Sequence, residues 1–361
     1  MAVTVAVKRE YEIYGADNEG DLCLFPRDVS QATFAQLTNY RSKIISGTDN
    51  YDAFPYATKI GNSIVGIFSS GTGHAQSEKQ VIFRSDDNGL TFRTADFFVN
   101  DTQAFYTGLL SDLLTDGQSV DLKIWNLKKS GTDFISTANS SVTASNWRTY
   151  AIWSRPKVAG SKLYRTGYTT VGSWEVGLLE STDSGATWVY KSTIASVAGK
   201  KFNEADIVNT TGTNWIAFIR EDTGTTDNLY KSTSSDNGAT WTTPTLVDTK
   251  VMNGRQPNLT KLSDGSIILA TGDRSGTSGY AGGSCDVVHG TDTTGITIFR
   301  STDNGATWSY RTRVSPMYST DGGQPFVIDL GNSNIFIVWY ARKTTKGLPF
   351  VVSCTLNVAN I

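Results

Sequence analysis

Five arginines and two carboxylates in this chain could together handle a negatively charged ligand: Arg155, Arg220, Arg255, Arg274 and Arg342, with Asp52 and Glu204. A guanidinium donates paired hydrogen bonds in one plane, the geometry a carboxylate accepts. Five cations gathered at one place repel one another unless acids or a bound anion offset the charge. Taken singly, each arginine is also explained by a solvated pair with Glu221, Asp222 or Asp273; the set is harder to explain that way.

The elements that must position them are repeated. The pattern S-x-D-x-G-x-T-[W/F] occurs four times, at Ser85–Phe92, Ser181–Trp188, Ser234–Trp241 and Ser301–Trp308. It reads as a hairpin tip. The Asp accepts from backbone N–H groups of the turn, Gly supplies the positive φ, and Thr and the aromatic start the next strand. The box aspartates are 87, 183, 236 and 303, so the gaps are 96, 53 and 67. The first gap is about twice a propeller blade of roughly 40–50 residues, so one unit near residues 100–150 has lost its box.

Each unit opens alike, with Asp52-Ala53-Phe54-Pro55, Phe105-Tyr106-Thr107-Gly108, Ser154-Arg155-Pro156, Asn203-Glu204-Ala205, Gly254-Arg255-Gln256-Pro257 and Gly323-Gln324-Pro325. A short apolar strand, a turn and a second apolar strand follow. Six openers predict an all-β fold, a six-bladed β-propeller of four-stranded antiparallel blades over residues 51–361. In a four-stranded meander, the start of strand one and the end of strand two share a rim. The hairpin of strands three and four lies on the other. The box aspartates are therefore expected to be scaffold, and the arginines and carboxylates to face a common mouth. The last unit has only three evident strands, so a strand from residues 2–14 is expected to complete it and remove an open edge. Residues 1–50 lack the repeat and are read as this closing strand, an attachment segment, or both.

The boxes resemble the Asp boxes of the sialidase (neuraminidase) superfamily, also called BNR-repeat proteins, across most of residues 50–361. The resemblance implies three arginines that hold a substrate carboxylate, a Tyr–Glu pair as nucleophile and base, and an Asp as acid, with retention of configuration. Asn203-Glu204 with Arg220 sixteen residues on is similar to the family's Glu and second arginine, and Arg274 to the third, with Arg255 as a competitor. The family's first arginine is replaced by Ala53 in Ala53-Phe54-Pro55. The loop where the acid is expected has no Asp, which leaves Asp52, His74 and Glu78 as candidates. Tyr318, upstream of the last opener, is the candidate nucleophile.

Composition narrows the partners. A formal net charge of −2 gives no footprint for nucleic acid or anionic membrane, and no apolar run approaches a membrane span. The three cysteines are not a disulfide framework. His74 and His289 share no metal-ligand spacing with them or each other, so no metal and no cofactor are expected. The N-terminal stretch lacks a secretory pattern. Low charge and abundant Ser, Thr, Gly and Asn resemble phage tail or receptor-binding proteins. The expectation is a virion or extracellular protein that binds a glycan on a cell surface, with residues 1–50 available to other tail proteins. Tyr106, Trp125, Trp153, Trp174, Trp339 and Tyr340 are candidate sugar platforms. Exo-sialidase hydrolysis and a structural or assembly role are the alternatives.

Overall fold

The computed structural model describes residues 24–25, 42–46, 50–74, 76–97, 107–123, 125–138, 141–145, 148–223, 228–247, 252, 254–273, 295–314, 321–342 and 347–359. These residues are all-β apart from one helical turn, Thr107–Leu110. None of their helices is long and apolar enough to cross a membrane. The strands form six antiparallel sheets. The first runs Tyr51–Ile60, Ser63–Gly73, Gln76–Ser85, Arg93–Phe97. The second is Ser119–Leu122, Trp125–Ser130, Asp133–Ala138, and the third is built on Lys162–Thr169, Glu175–Ser181, Val189–Ala195. The fourth is Phe202–Thr211, Asn214–Glu221, Asn228–Ser234, Thr245–Leu246. The fifth contains Arg255–Lys261, Ile267–Asp273, Gly295–Ser301, Ser309–Val314, and the sixth Gly323–Gly331, Asn334–Arg342, Pro349–Asn357.

The uniform four-stranded unit expected from sequence needs correction. Only the first, fourth and sixth sheets have four strands. The fifth gains Leu24–Phe25, paired with Ser309–Val314. The third has six, because Thr149–Ile152 and Lys157–Ala159 both pair with Lys162–Thr169 and Ser141–Thr143 is added outside. The second has three, and the expected strand after its opener is a helical turn at Thr107–Leu110. The sixth sheet is completed by Ser42–Ile44, which pairs with Val352–Cys354. Residues 2–14, the expected source of that strand, lie outside the described residues.

Hydrogen bonds carry the chain from sheet to sheet and back to the start. Asp206 accepts from the Leu259 amide at 2.7 Å and Asn258 Nδ2 at 3.1 Å, and Asn258 Oδ1 accepts from the Val327 amide at 2.9 Å. Gln324 Nε2 donates to the Pro55 carbonyl at 3.1 Å, joining the sixth sheet to the first. Tyr56 OH donates to Asp121 at 2.7 Å, Arg165 Nη1 donates to Asp121 at 2.8 Å, and Thr166 Oγ1 donates to the Ala205 carbonyl at 2.6 Å. Apolar side chains fill the spaces between sheets. Tyr56, Phe68 and Phe83 pack with Phe326, Phe336 and Tyr340 where first and sixth sheets meet. Tyr164 and Leu178 pack with Trp215 between the third and fourth.

All four boxes have one geometry. In the last, Asp303 accepts from the Thr307 amide at 2.9 Å, the Thr307 hydroxyl and the Ser301 hydroxyl at 2.8 Å, and Ser301 Oγ accepts from the Gly305 amide at 2.8 Å. Asn304 at φ 58° and Gly305 at φ 83° are consecutive left-handed residues. Small polar residues and Gly tolerate this conformation best. A Cβ on Gly305 would stand 2.2 Å from Ile216 Cδ1 of the preceding sheet, one on Gly238 2.4 Å from Leu178 Cδ2, and one on Gly89 2.7 Å from Phe336 Cδ2. Each of these boxes therefore docks its bare backbone on the sheet before it, and the first docks on the last.

Candidate functional site

The first strands of the first, fifth and sixth sheets are bent at the same place. Phe54, Gln256 and Gln324 each precede a proline, and each has a positive φ, of 58°, 54° and 51°. The pairing register shifts there, between Ala53 and Tyr56, Arg255 and Asn258, and Gly323 and Phe326, with a matching shift from Phe202 to Ala205. A bulge of this kind re-aims side chains at a strand end. The bent openers also touch: Gln256 Oε1 accepts from the Gln324 amide at 2.7 Å, and Gln324 reaches Pro55 as described.

Two constellations flank this bridge, both at starts of first strands and ends of second strands. In one, Arg220 Nη1 donates to Glu204 Oε2 at 2.7 Å and Arg220 Nη2 donates to Asp222 Oδ1 at 3.1 Å. Arg255 Nη1 shares that Asp222 oxygen at 3.5 Å. Glu204 is 8% exposed. Burial opposes the charge on Arg220, but Glu204 and Asp222 outweigh it, and its pKa rises. Lys123, left-handed at φ 66°, sets its ammonium 4.0 Å from the Trp153 ring centroid. Burial lowers its pKa to about 8, against the pull of Glu204. Tyr168 packs edge-on to Trp153 at 5.9 Å, and burial, then the Glu204 charge, raise its phenol pKa. The group thus offers two guanidiniums, an ammonium and two half-buried rings beside an ordered carboxylate, a combination that suits an anionic, ring-shaped ligand.

The second constellation centres on Asp321. Tyr51 OH donates to Asp321 Oδ2 at 2.5 Å, Arg342 Nη2 donates to the same oxygen, and His74 Nδ1 lies 3.0 Å from Oδ1. Burial works against the Asp321 carboxylate, but bonds from Tyr51, Arg342 and His74 prevail and its pKa falls. The Tyr51 phenol is pushed strongly upward by burial and by Asp321, so it stays protonated at neutral pH. Phe54 packs edge-on to His74 at 5.0 Å and against Tyr340 at 5.2 Å.

The structure therefore brings Glu204, Arg220 and Arg255 together and puts Arg342 in the neighbouring group. Arg274 and Tyr318 lie outside the described residues. Asp52 turns away from Tyr51, as strand alternation requires. It is 4% exposed, and burial raises its carboxyl pKa against the hydroxyls of Ser70 and Ser46. Arg155 is elsewhere: it donates to the carbonyls of Ala57 at 3.2 Å and Val327 at 2.5 Å and to Thr260 Oγ1 at 3.0 Å. Of the aromatic candidates, Trp339 and Tyr340 are fully buried, Trp125, Trp153 and Trp174 are half-buried, and Tyr106 lies outside the described residues. Sequence reasoning missed Tyr51, Lys123, Tyr168 and Asp321. Asp321 had a visible signal, an acid two residues ahead of the Gly323-Gln324-Pro325 opener.

Sheets joined in this circuit, with box hairpins on one rim and an arginine–carboxylate group on the other, define a protein of the sialidase-like class. The chain belongs to the BNR repeat-like domain family, whose model matches residues 54–278. No curated protein matches it in sequence. Among solved structures it is similar to a protein of unknown function from Dyadobacter fermentans, at 16% identity and TM-score 0.64, over 88% of this chain and 98% of that one. It is also similar to the NanB sialidase from Streptococcus pneumoniae, at 13% identity and TM-score 0.56, over 88% and 70%. The phage phi92 endosialidase matches at 9% identity and TM-score 0.52, over 89% and 69%. At these identities the likeness is one of fold.

Proposed function

We propose that the chain is a closed six-bladed propeller whose mouth recognises an acidic glycan on a cell surface, as part of a phage tail or similar attachment apparatus. The observation that carries this reading is the Glu204–Arg220 pair at 2.7 Å, linked through Asp222 to Arg255 on the rim opposite the boxes. Arg220, Arg255 and Lys123 meet the acidic group, while Trp153 and Tyr168 offer faces to the sugar ring. Arg342 supplies a further cation, and Arg274 joins the set by its sequence position. The sialidase and phage endosialidase among the fold's neighbours support a glycan as the ligand class and a virion as the setting. Residues 1–50 supply the strand Ser42–Ile44 and, in this reading, contacts to other tail proteins.

Hydrolysis is the second reading, favoured by Tyr168, whose phenol feels the Glu204 charge. One observation favours binding over turnover. Ala53 occupies the position of the family's first arginine and is fully buried. The test is a glycan array run beside fluorophore release from a sialoside, with wild type, Glu204→Gln and Arg220→Ala. The binding reading expects retention of an acidic glycan, lost in Arg220→Ala, and no release. Release that depends on both residues establishes hydrolysis instead; neither binding nor release favours an assembly module.

A further inference from the structure

Further along the same first strands, beyond the mouth, an open cavity of about 710 Å³ lies between them. Its wall includes Lys59, Arg155, Lys157 and Lys261, with Asp121 and Asp329. Lys59, Lys261 and Asp329 are late residues of strands that begin at Tyr51, Arg255 and Gly323. At about 3.3 Å per residue, the six steps from Arg255 to Lys261 set the Lys261 end of the cavity about 20 Å from the mouth, with Arg155 between, at the level of Ala57 and Val327. No residue of the Glu204 or Asp321 constellations lines the cavity.

The charges in this wall do not balance. Asp329 spends its carboxylate on backbone amides, Ser263 at 2.7 Å and Gly331 at 2.8 Å. Asp121 is taken by Arg165 and Tyr56. Lys157 Nζ lies 3.0 Å from Asp206, which also receives the Leu259 amide and Asn258. Lys59 and Lys261 donate to the carbonyls of Asp329 and Thr210. Arg155 donates only to two carbonyls and a hydroxyl. Among the described residues, none of these last three cations has a carboxylate partner. Burial lowers the pKa of Arg155, and brings Lys157 down to about 8. A guanidinium held in a concave site with only neutral hydrogen-bond acceptors, and with Asp206 acting on it only through space, is a seat for an anion, because the anion offsets a desolvation cost already incurred.

We propose that this cavity is a second binding site, for a small anion bearing carboxylate, sulfate or phosphate, held by Arg155 and Lys157 within and by Lys59 and Lys261 at its opening. The volume falls inside the range of small-ligand sites, about 300–1,000 Å³, and admits a sugar acid or a free oxyanion. The site does not depend on what the mouth binds.

The test uses the full chain carrying Arg220→Met, which removes the mouth's principal cation. Sodium sulfate and sodium glucuronate are titrated at constant ionic strength against sodium chloride, read by calorimetry and by the shift in Tm. The expected result is saturable binding of at least one probe. Adding Lys59→Ser and Lys261→Ser weakens it about tenfold, equivalent to about 1.4 kcal/mol. Arg155→Met abolishes it. Both lysines are exposed, so the double variant folds even where Arg155→Met does not. Tighter glucuronate identifies a sugar acid, and tighter sulfate a free oxyanion; either outcome supports the site. Chloride-like, unsaturable responses from both probes, or equal affinity with and without Lys59 and Lys261, overturn it.

Discussion

Arg220 and Glu204 meet at 2.7 Å across two adjacent strands, the end of Asn214–Glu221 and the start of Phe202–Thr211. Both side chains are nearly buried, so the pair is not screened as a surface pair is. Removing one member leaves the other short of its counter-charge. Arg220→Met is expected to destabilise the fold by about 2–4 kcal/mol, and Asp222→Asn, on the more exposed acid, by under about 1 kcal/mol. Urea unfolding of the two variants measures the difference. Equal losses would mean that the Glu204 bond is not the stronger of the two.

Protonation of the boxes should destabilise the fold in acid. The carboxyls of Asp183, Asp236 and Asp303 stand at about 2, held down first by the Thr hydroxyl and then by the Thr amide and Ser hydroxyl. Their folded pKa lies below the ordinary 3.8, so their contribution is complete above that value and disappears as pH falls from about 4 toward 2. Melting temperatures between pH 2 and 5 should fall more shallowly for Asp303→Asn than for wild type, from a lower plateau. Parallel curves would remove Asp303 from the account.

Lys123 should give the mouth a pH response near 8. Its folded pKa, about 8, lies below the ordinary 10.5 because of burial, opposed by Glu204 and aided by Arg165. The charged amine therefore holds stability back at neutral pH, and stability should rise as pH passes 8 toward 10.5. Affinity for an acidic glycan should move the other way, falling from pH 7 to 9 as the ammonium is lost. In paired melts and binding titrations, Lys123→Met should flatten the binding profile and reduce the stability slope, the remainder of which Lys157, also buried and near 8, supplies. A wild-type-like slope in the variant would assign the response to another group.

Gly305→Ala tests the docking of a box on its neighbour. The new methyl meets Ile216 Cδ1 at 2.2 Å, at a residue whose φ is already 83°. Overpacking costs about 1–3 kcal/mol, and the left-handed backbone adds to it. Gly265→Ala, also at positive φ but with open space around it, supplies the control for backbone strain alone. Chemical denaturation should rank Gly305→Ala as the more damaging, and equal losses would mean that the contact with Ile216 relaxes freely.

Much of this was readable from residue types, and the failures have physical causes. The box turn follows from Asp, Gly and Thr at fixed offsets, because each bond within it is local. Glu204 and Arg220 meet because one hairpin connects them, so their spacing fixes their proximity. Arg155 misled because its opener looks like the others while its strand does not. It stands five positions ahead of the hairpin glycine Gly160, against eight for Glu204 ahead of Gly212 and ten for Arg255 ahead of Gly265. That count, available from sequence, sets Arg155 lower along the axis. Asp321 and Lys123 act through partners far away in the chain, and no local pattern announces such contacts. Asp52 and Tyr51 were confused by one step of strand alternation, which reverses the face a side chain presents.

The seam formed by Ser42–Ile44 on Pro349–Asn357 sets an order for assembly. During synthesis the early segment must wait for some three hundred residues before its partner strand exists. Until then the growing protein carries an unmated edge that any extended peptide can join. Recombinant preparations should therefore be most prone to clumping when translation stalls or the distal strand is trimmed, even with every arginine discussed above intact.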